Sequence, residues 1–245
     1  MRSWTAEYLL LLQWAVLRKK RYLPLNLIIQ VGLAVGIVVG FSYMLPQLDQ
    51  VGAVYLTSGA TVMGFITVGM VLAPQEVAQA KLEGAFEFNR SLPVPRSAMM
   101  AADATVSLVT ALPGIVLGLV AARLRFGPGL DISPLALPGF ALVALCALGI
   151  GYGISYVLTP PATSAVCQAV VFASLMFSPI NFPIERLPSW LAGVHHFLPF
   201  LPMARIARGV LFADHRGADA ASFVVLALWC AGGLALSLRI MCRRG

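Results

Sequence analysis

Residues 83–97 read EGAFEFNRSLPVPRS and form a short charged segment between two long apolar stretches. Only 11% of the 245 residues are charged and 59% are hydrophobic. A soluble domain has about 25% charged residues, so this balance indicates a membrane protein. A charged segment isolated in such a chain is typical of a loop that connects two transmembrane helices.

Six apolar segments are long enough to cross a membrane. Each has about 19–24 residues, or about 28–36 Å as a helix, against a hydrocarbon core of about 30 Å. Helices are favoured because every backbone polar group in lipid must be satisfied within its own segment. We therefore predict one all-α membrane domain over residues 1–245, with transmembrane helices at residues 23–44, 51–73, 99–122, 135–158, 164–182 and 221–241.

The N-terminal residues 1–22 have a different pattern. Their apolar core, Tyr8–Leu17, is too short to span the membrane. The basic cluster Arg18–Arg21 follows this core, whereas a signal peptide has its basic residues first. The pattern predicts an interfacial helix, and its aromatic residues would anchor it at the membrane surface: Trp4, Tyr8 and Trp14.

The basic residues also predict the orientation of the chain, because Lys and Arg accumulate on the cytoplasmic side. With a cytoplasmic N-terminus, eleven basic residues face the cytoplasm: Arg2, Arg18, Lys19, Lys20, Arg21, Lys81, Arg90, Arg96, Arg239, Arg243 and Arg244. Six face outside: Arg123, Arg125, Arg186, Arg205, Arg208 and Arg216. We therefore expect cytoplasmic N- and C-termini. The net charge of +7 comes from basic residues at the ends of apolar runs. That position favours contact with membrane lipids rather than with nucleic acid.

Residues 74–98 are the predicted cytoplasmic insert. Helix-forming residues extend from Gln75 to Phe88, and Glu83 and Glu87 would lie one turn apart on one face. Pro93 and the proline two residues later would end this helix. The pattern predicts a short rigid helix parallel to the membrane that offers its carboxylates to a soluble partner. Its apolar residues, Leu82 and Phe88 among them, would rest on the ends of the spans. An ordinary solvated loop is the alternative.

Residues 183–219 are the predicted external insert. Two apolar stretches, Trp190–Phe200 and Met203–Phe212, are too short to span, and prolines separate them. We predict two short re-entrant helices between the fifth and sixth spans, because irregular backbone at membrane depth must be covered by protein or face a cavity.

Both inserts resemble segments of ABC type-2 transporter permeases. In that family the loop after the second span typically reads E-x-G-T-x-E-x-L-x-x-[ST]-P-V-[ST]-R. Ala85 and Pro95 depart from that pattern, and the residues that fit it are Gly84, Glu87, Pro93, Val94 and Arg96. The external insert resembles the family segment P-x-x-x-L-P-x-W-L with its later proline, arginine and leucine, through Pro183, Leu187, Pro188, Trp190, Leu191, Pro199, Arg205 and Leu211.

The resemblance implies a permease subunit whose coupling helix, within residues 75–96, docks in a cleft of a separate ATP-binding subunit. The implied coupling residues are Glu83, Gly84, Glu87, Arg90, Pro93 and Arg96, and those of the external re-entrant segment are Pro183, Pro188, Trp190, Pro199 and Arg205. It also implies two ATP-binding subunits, a second permease copy or a sister permease, and a bacterial inner membrane. ATP and Mg would be bound by the partner, and this chain has no G-x-x-x-x-G-K-[ST] sequence.

The sparsely charged spans predict an amphipathic or hydrophobic cargo, such as a drug, an antibiotic or a lipid, and the resemblance implies that this cargo is moved outward. Two other functions stay open. A membrane-embedded lipid-modifying enzyme would need clustered acid–base or metal-binding residues at one membrane face, and the sequence shows none. A sensor or immunity subunit would bind an ATPase without transporting anything.

Three smaller features complete the sequence predictions. Gly32, Gly36 and Gly40 repeat every four residues and predict close helix packing, including contact between subunits. The adjacent pair at residues 195 and 196 is not expected to bind metal, because neighbouring helical side chains diverge by about 100°. Asp103, near the cytoplasmic start of the third span, is expected to pair with a loop arginine or stay hydrated.

Overall fold

The computed structural model describes residues 4–20, 23–44, 50–127, 132–212 and 219–242. Of the basic residues that predict orientation, residues 2, 21, 216, 243 and 244 lie outside these ranges. Within the ranges the chain is helical and has no β-strand. The α-helices are α1 Trp4–Lys19, α2 Leu23–Met44, α3 Gln50–Ile66, α4 Ala73–Leu82, α5 Ala85–Ser91, α6 Arg96–Phe126, α7 Ala136–Val157, α8 Pro160–Met176, α9 Ser189–His195, α10 Phe200–Leu211 and α11 Ala220–Cys242.

Among the described residues, five helical stretches are long and apolar enough to cross a membrane, and with the absence of strands there they confirm an all-α architecture. They are Leu23–Gly40, Gln50–Leu82, Arg96–Phe126, Ala136–Val157 and Ala220–Cys242.

The fifth predicted span corresponds to α8. This helix has 17 residues, or about 25 Å, so the count of six spans stays a prediction. Its predicted bounds, 164–182, are wrong: α8 begins at Pro160 and ends at Met176. Proline is favoured in the first turn of a helix, because the missing N–H has no intrahelical acceptor there.

The helix of the second span is longer than predicted. From α3 the chain continues through a π-helical segment, Thr67–Leu72, directly into α4, and the whole stretch is largely buried. The helix therefore continues past residue 73, whereas the predicted end of the span at residue 73 stays a prediction. Pro74 lies in the first turn of α4, and the π-helical turn before it rearranges the backbone hydrogen bonds where the proline has no N–H to donate. Residues 75–82 thus continue the helix of the second span, and their orientation relative to the membrane stays a prediction.

Glycines allow α7 to pack against two neighbours at backbone distance. A Cβ on Gly233 of α11 would lie 2.7 Å from the carbonyl carbon of Gly149. A Cβ on Gly151 would overlap the carbonyl oxygen of Gly69 in the π-helical segment. Because the obstructing atoms belong to backbone, only glycine fits at this crossing.

On α6, Gly114 and Gly118 pack against Gln30 and Ala34 of α2, where an added Cβ would lie 2.9 Å from each neighbouring Cβ. The predicted packing glycines of α2 lie on another face. Among the described residues no atom of another element comes within 4 Å of a Cβ built on Gly32, Gly36 or Gly40. Contact between subunits through this face stays a prediction.

α1 packs along the beginning of α6. Trp4 Nε1 donates to Ser97 Oγ at 3.1 Å, and the hydroxyls of Tyr8 and Thr105 are 2.9 Å apart. The helix prediction is confirmed over Trp4–Lys19, whereas its position at the membrane surface stays a prediction.

The beginning and the end of the described chain meet at one end of the bundle. There an apolar cluster joins Leu11 of α1 and Met241 of α11 to Ala73 of α4, Met99 of α6 and Tyr152 of α7. The α4–α5 segment belongs to this same end. The predicted cytoplasmic segments therefore lie together in three dimensions.

Candidate functional site

The segment that comes after the second span is built around one glycine. α4 ends at Leu82, and Gly84 has φ +75°, a left-handed conformation that favours glycine. α5 then begins at Ala85. The prediction of one helix from Gln75 to Phe88 is wrong, because the chain turns at Gly84.

The predicted coupling carboxylates lie on either side of that turn. Glu83 accepts a hydrogen bond from Gln79 Nε2 at 2.7 Å, and Glu87 lies in the first turn of α5, 3.4 Å from Arg90 Nη1. They do not share a helical face, which corrects the one-turn spacing expected from the sequence. Both are exposed, and the Glu87 side chain is 71% accessible.

Two apolar side chains lie exposed beside these carboxylates. Leu82 is 68% exposed and Phe88 is 59% exposed, although the sequence pattern assigns both to the buried face. We call the group Leu82, Glu83, Glu87 and Phe88 the α5 surface. The break at Gly84 rotates α5 away from the helix that the pattern predicts, and this exposes Phe88.

Arg96 holds the far end of α5. Its guanidinium donates to the backbone carbonyls of Asn89 at 3.0 Å, Leu92 at 3.4 Å and Arg90. A cation at this position satisfies carbonyls that a helix end leaves unpaired. Arg96 therefore positions α5, while Pro93 lies exposed in the bend that leads to α6.

A cavity of about 740 Å³ lies beside α5. Apolar side chains such as Val77 and Met99 line it together with Tyr152 and Gln168. The charged residues on its wall are Arg18, Lys19, Glu76, Glu83, Arg90 and Asp103. The cavity thus combines apolar surface with charges of both signs.

Two ion pairs connect α1 to this wall. Arg18 lies 2.5 Å from Asp103 of α6, so the arginine that pairs with Asp103 belongs to α1 and not to a loop. Lys19 is buried, lies 2.8 Å from Glu76 of α4 and donates to Ser107 Oγ at 2.8 Å. α1 is therefore fastened to both α4 and α6.

The predicted external insert, here called the external segment, consists of short helices that each come after a proline. Pro183 precedes a 3₁₀ turn, Pro188 precedes α9 and Pro199 precedes α10. Trp190 on α9 is 71% exposed. α10 is mostly buried and packs against α3, α7 and α11. Re-entry into the membrane stays a prediction, and residues 213–218 of this segment lie outside the described ranges.

Arg205 of α10 lies 3.5 Å from Asp219, which precedes α11. The backbone N–H of Ser222 donates to the same carboxylate, and hydrogen bonds from Ser222 hold the pKa of Asp219 below its usual value. Arg208, one turn after Arg205, is buried and donates to the carbonyls of Pro179 and Ile180. These contacts fix the external segment to the ends of α8 and α11.

The adjacent histidines diverge as expected. His195 is buried with its Nε2 2.9 Å from the Phe177 carbonyl, whereas His196 is exposed. In the part of the chain that the structure describes, no three His, Cys, Asp or Glu side chains are placed to share a metal ion.

A family model for the ABC-2 type transporter matches residues 7–212, which include α2 through α10 and most of α1. The chain belongs to the ABC-2 type transporter family. This ABC-2 permease is an integral membrane transport subunit and is not itself the ATPase. Membership in the family implies pairing with an ABC ATP-binding subunit. No curated protein matches the chain.

Sequence reasoning missed Lys19, Glu76 and Lys81 as contributors to this region. Lys19 and Lys81 count as topology signals in the sequence, and their contacts join residues more than fifty positions apart. The apolar pattern places Leu82 and Phe88 on the wrong face. The glycine at residue 84 is the one local signal that could have corrected the assignment of Phe88.

Proposed function

We propose that this ABC-2 permease is the membrane subunit of an ATP-driven exporter and that the α5 surface is where its ATP-binding subunit docks. The observation that carries the proposal is the placement of exposed acidic and apolar side chains on a short helix fixed at both ends. Gly84 sets its start and Arg96 holds its end.

The composition of the α5 surface supports docking. Leu82 and Phe88 expose apolar area that water solvates poorly, and the carboxylates beside them can pair with basic residues of a partner. A helix braced at both ends transmits a displacement that a mobile loop would absorb. Closure of two ATP-binding subunits would push two such helices and drive a rigid-body change in the spans.

The cavity beside α5 supports an amphipathic or hydrophobic cargo, such as a drug, an antibiotic or a lipid. Its volume of about 740 Å³ lies within the range of pockets that hold drug-sized molecules. We further propose outward transport across a bacterial inner membrane, cytoplasmic termini, and assembly with a second copy or a sister permease. The unpacked glycine face of α2 is the proposed contact between the two permeases.

The proposal is tested in inverted membrane vesicles that contain the permease with or without its ATP-binding subunit. The subunit is identified by purification from the native membrane and by its G-x-x-x-x-G-K-[ST] sequence. Labelled hydrophobic compounds should accumulate only when both subunits and ATP are present. A stable complex that hydrolyses ATP and moves no compound would instead favour the sensor or immunity alternative.

Glu87→Lys should weaken association with the ATP-binding subunit about tenfold, or about 1.4 kcal/mol, because it places a cation where the partner meets a carboxylate. Titration of the purified subunits measures the change. Glu185→Lys is the matched control, because it reverses an exposed carboxylate at the external end. Equal binding of the two variants would contradict the assignment of the α5 surface.

A further inference from the structure

Lys81 lies in the last turn of α4 and turns toward the end of α7. Its Nζ donates to the backbone carbonyls of Ser155 at 2.6 Å, Leu158 at 2.9 Å and Tyr156 at 3.3 Å. The last carbonyls of a helix have no intrahelical partner and form its negative end. One ammonium from a different helix therefore satisfies the end of α7.

The same ammonium also contacts α5. Lys81 Nζ lies 5.3 Å from the centroid of the Phe86 ring, and that ring packs against Tyr156 with centroids 5.6 Å apart. Arg90 lies 5.9 Å from the same ring. The ends of α4 and α7 and the start of α5 thus meet around one cation and one aromatic ring.

A lysine retained only as a topology signal would extend into water. Lys81 instead donates three hydrogen bonds to backbone carbonyls. Such charge-assisted hydrogen bonds are stronger than neutral ones. The position of these carbonyls is significant, because α7 ends at Val157 and α8 begins at Pro160. Lys81 therefore connects the α7–α8 turn to the last turn of α4, immediately before α5.

We propose that Lys81 is the positioning residue that makes α5 and the α7–α8 turn move as one body. Displacement of α5 then reaches α7 and α8 through this contact, in addition to the covalent path along α4 into α3. The mechanical significance of this brace rests on the proposed function, whereas the brace itself belongs to the isolated permease.

The test measures the distance between spin labels at Ser91→Cys on α5 and Thr159→Cys in the α7–α8 turn, both exposed positions. Cys242, the exposed native cysteine, is replaced by serine; the other three are buried. Lys81→Met keeps the length of the side chain and removes its donors, while Lys81→Arg keeps donors and charge. All variants are compared in lipid nanodiscs after gel filtration confirms that they are folded.

In the isolated permease, the native residue and Lys81→Arg should give one narrow distance, and Lys81→Met should lose it and give a broad distribution. In the complex with the ATP-binding subunit, the native protein should give the same distance in the nucleotide-free and ADP–vanadate states. In Lys81→Met the distance should differ between the two states. A narrow, unchanged distance in Lys81→Met would overturn the proposal, as would a distance that changes between states in the native protein. If no ATP-binding subunit associates, the proposed function fails while the first comparison still decides the brace.

Discussion

Gly151→Ala is expected to destabilise the fold by about 3 kcal/mol, which corresponds to a fall of roughly 10 °C in the unfolding temperature. The added Cβ would overlap the carbonyl oxygen of Gly69. That oxygen belongs to the backbone of a buried helix and cannot move alone. α7 and the π-helical segment must therefore separate to make room for the added Cβ. Thermal unfolding of the purified permease in detergent, followed by tryptophan fluorescence, measures the change.

Gly153→Ala is the matched control on the same helix. Its Cβ would lie 3.5 Å from Leu236 Cδ2, an ordinary van der Waals contact. Alanine is favoured over glycine inside a helix by roughly 0.5–1 kcal/mol, so this variant should unfold at the same temperature or slightly higher. If both variants unfolded alike, the close crossing of α7 over the π-helical segment would be wrong.

Glu76→Ala is expected to lower the free energy of unfolding by about 2–3 kcal/mol. The loss is smaller than for a fully buried ion pair, because the Glu76 side chain is 32% accessible. The variant leaves the buried Lys19 ammonium with Ser107 Oγ and no carboxylate. Burying an unpaired charge is strongly unfavourable, so the end of α1 should separate from α4. A lower unfolding temperature and faster amide hydrogen exchange in α1 would report this.

Two further variants test whether the unpaired buried charge causes the loss of stability. Lys19→Met with Glu76→Leu removes both charges and should recover most of the lost stability, because apolar residues of similar volume replace a buried ion pair at little cost. Glu83→Ala removes an exposed carboxylate that accepts one hydrogen bond from Gln79, and it should change stability little. A double variant no more stable than Glu76→Ala would show that charge burial is not the cause.

The apolar runs predict the helices well, because a chain in lipid must satisfy its backbone within each segment. The start of α2 at Leu23 and the limits of α7 and α11 fall within one residue of the predicted bounds. Two of the errors occur at prolines. The apolar pattern places Pro160 and Pro74 outside the spans, and both lie in the first turn of a helix.

Local sequence therefore determined that this protein is a bundle of membrane-length helices interrupted by one charged insert, and its glycine at residue 84 determined where that insert turns. Only the tertiary packing decided which partners the charged side chains have. Asp103 is paired with Arg18 and Lys81 with the end of α7 because α1, α4, α6 and α7 converge at one end of the bundle. Such partners lie tens of residues apart in the chain, and in the case of Lys81 they are backbone carbonyls, which every residue carries and no sequence pattern distinguishes.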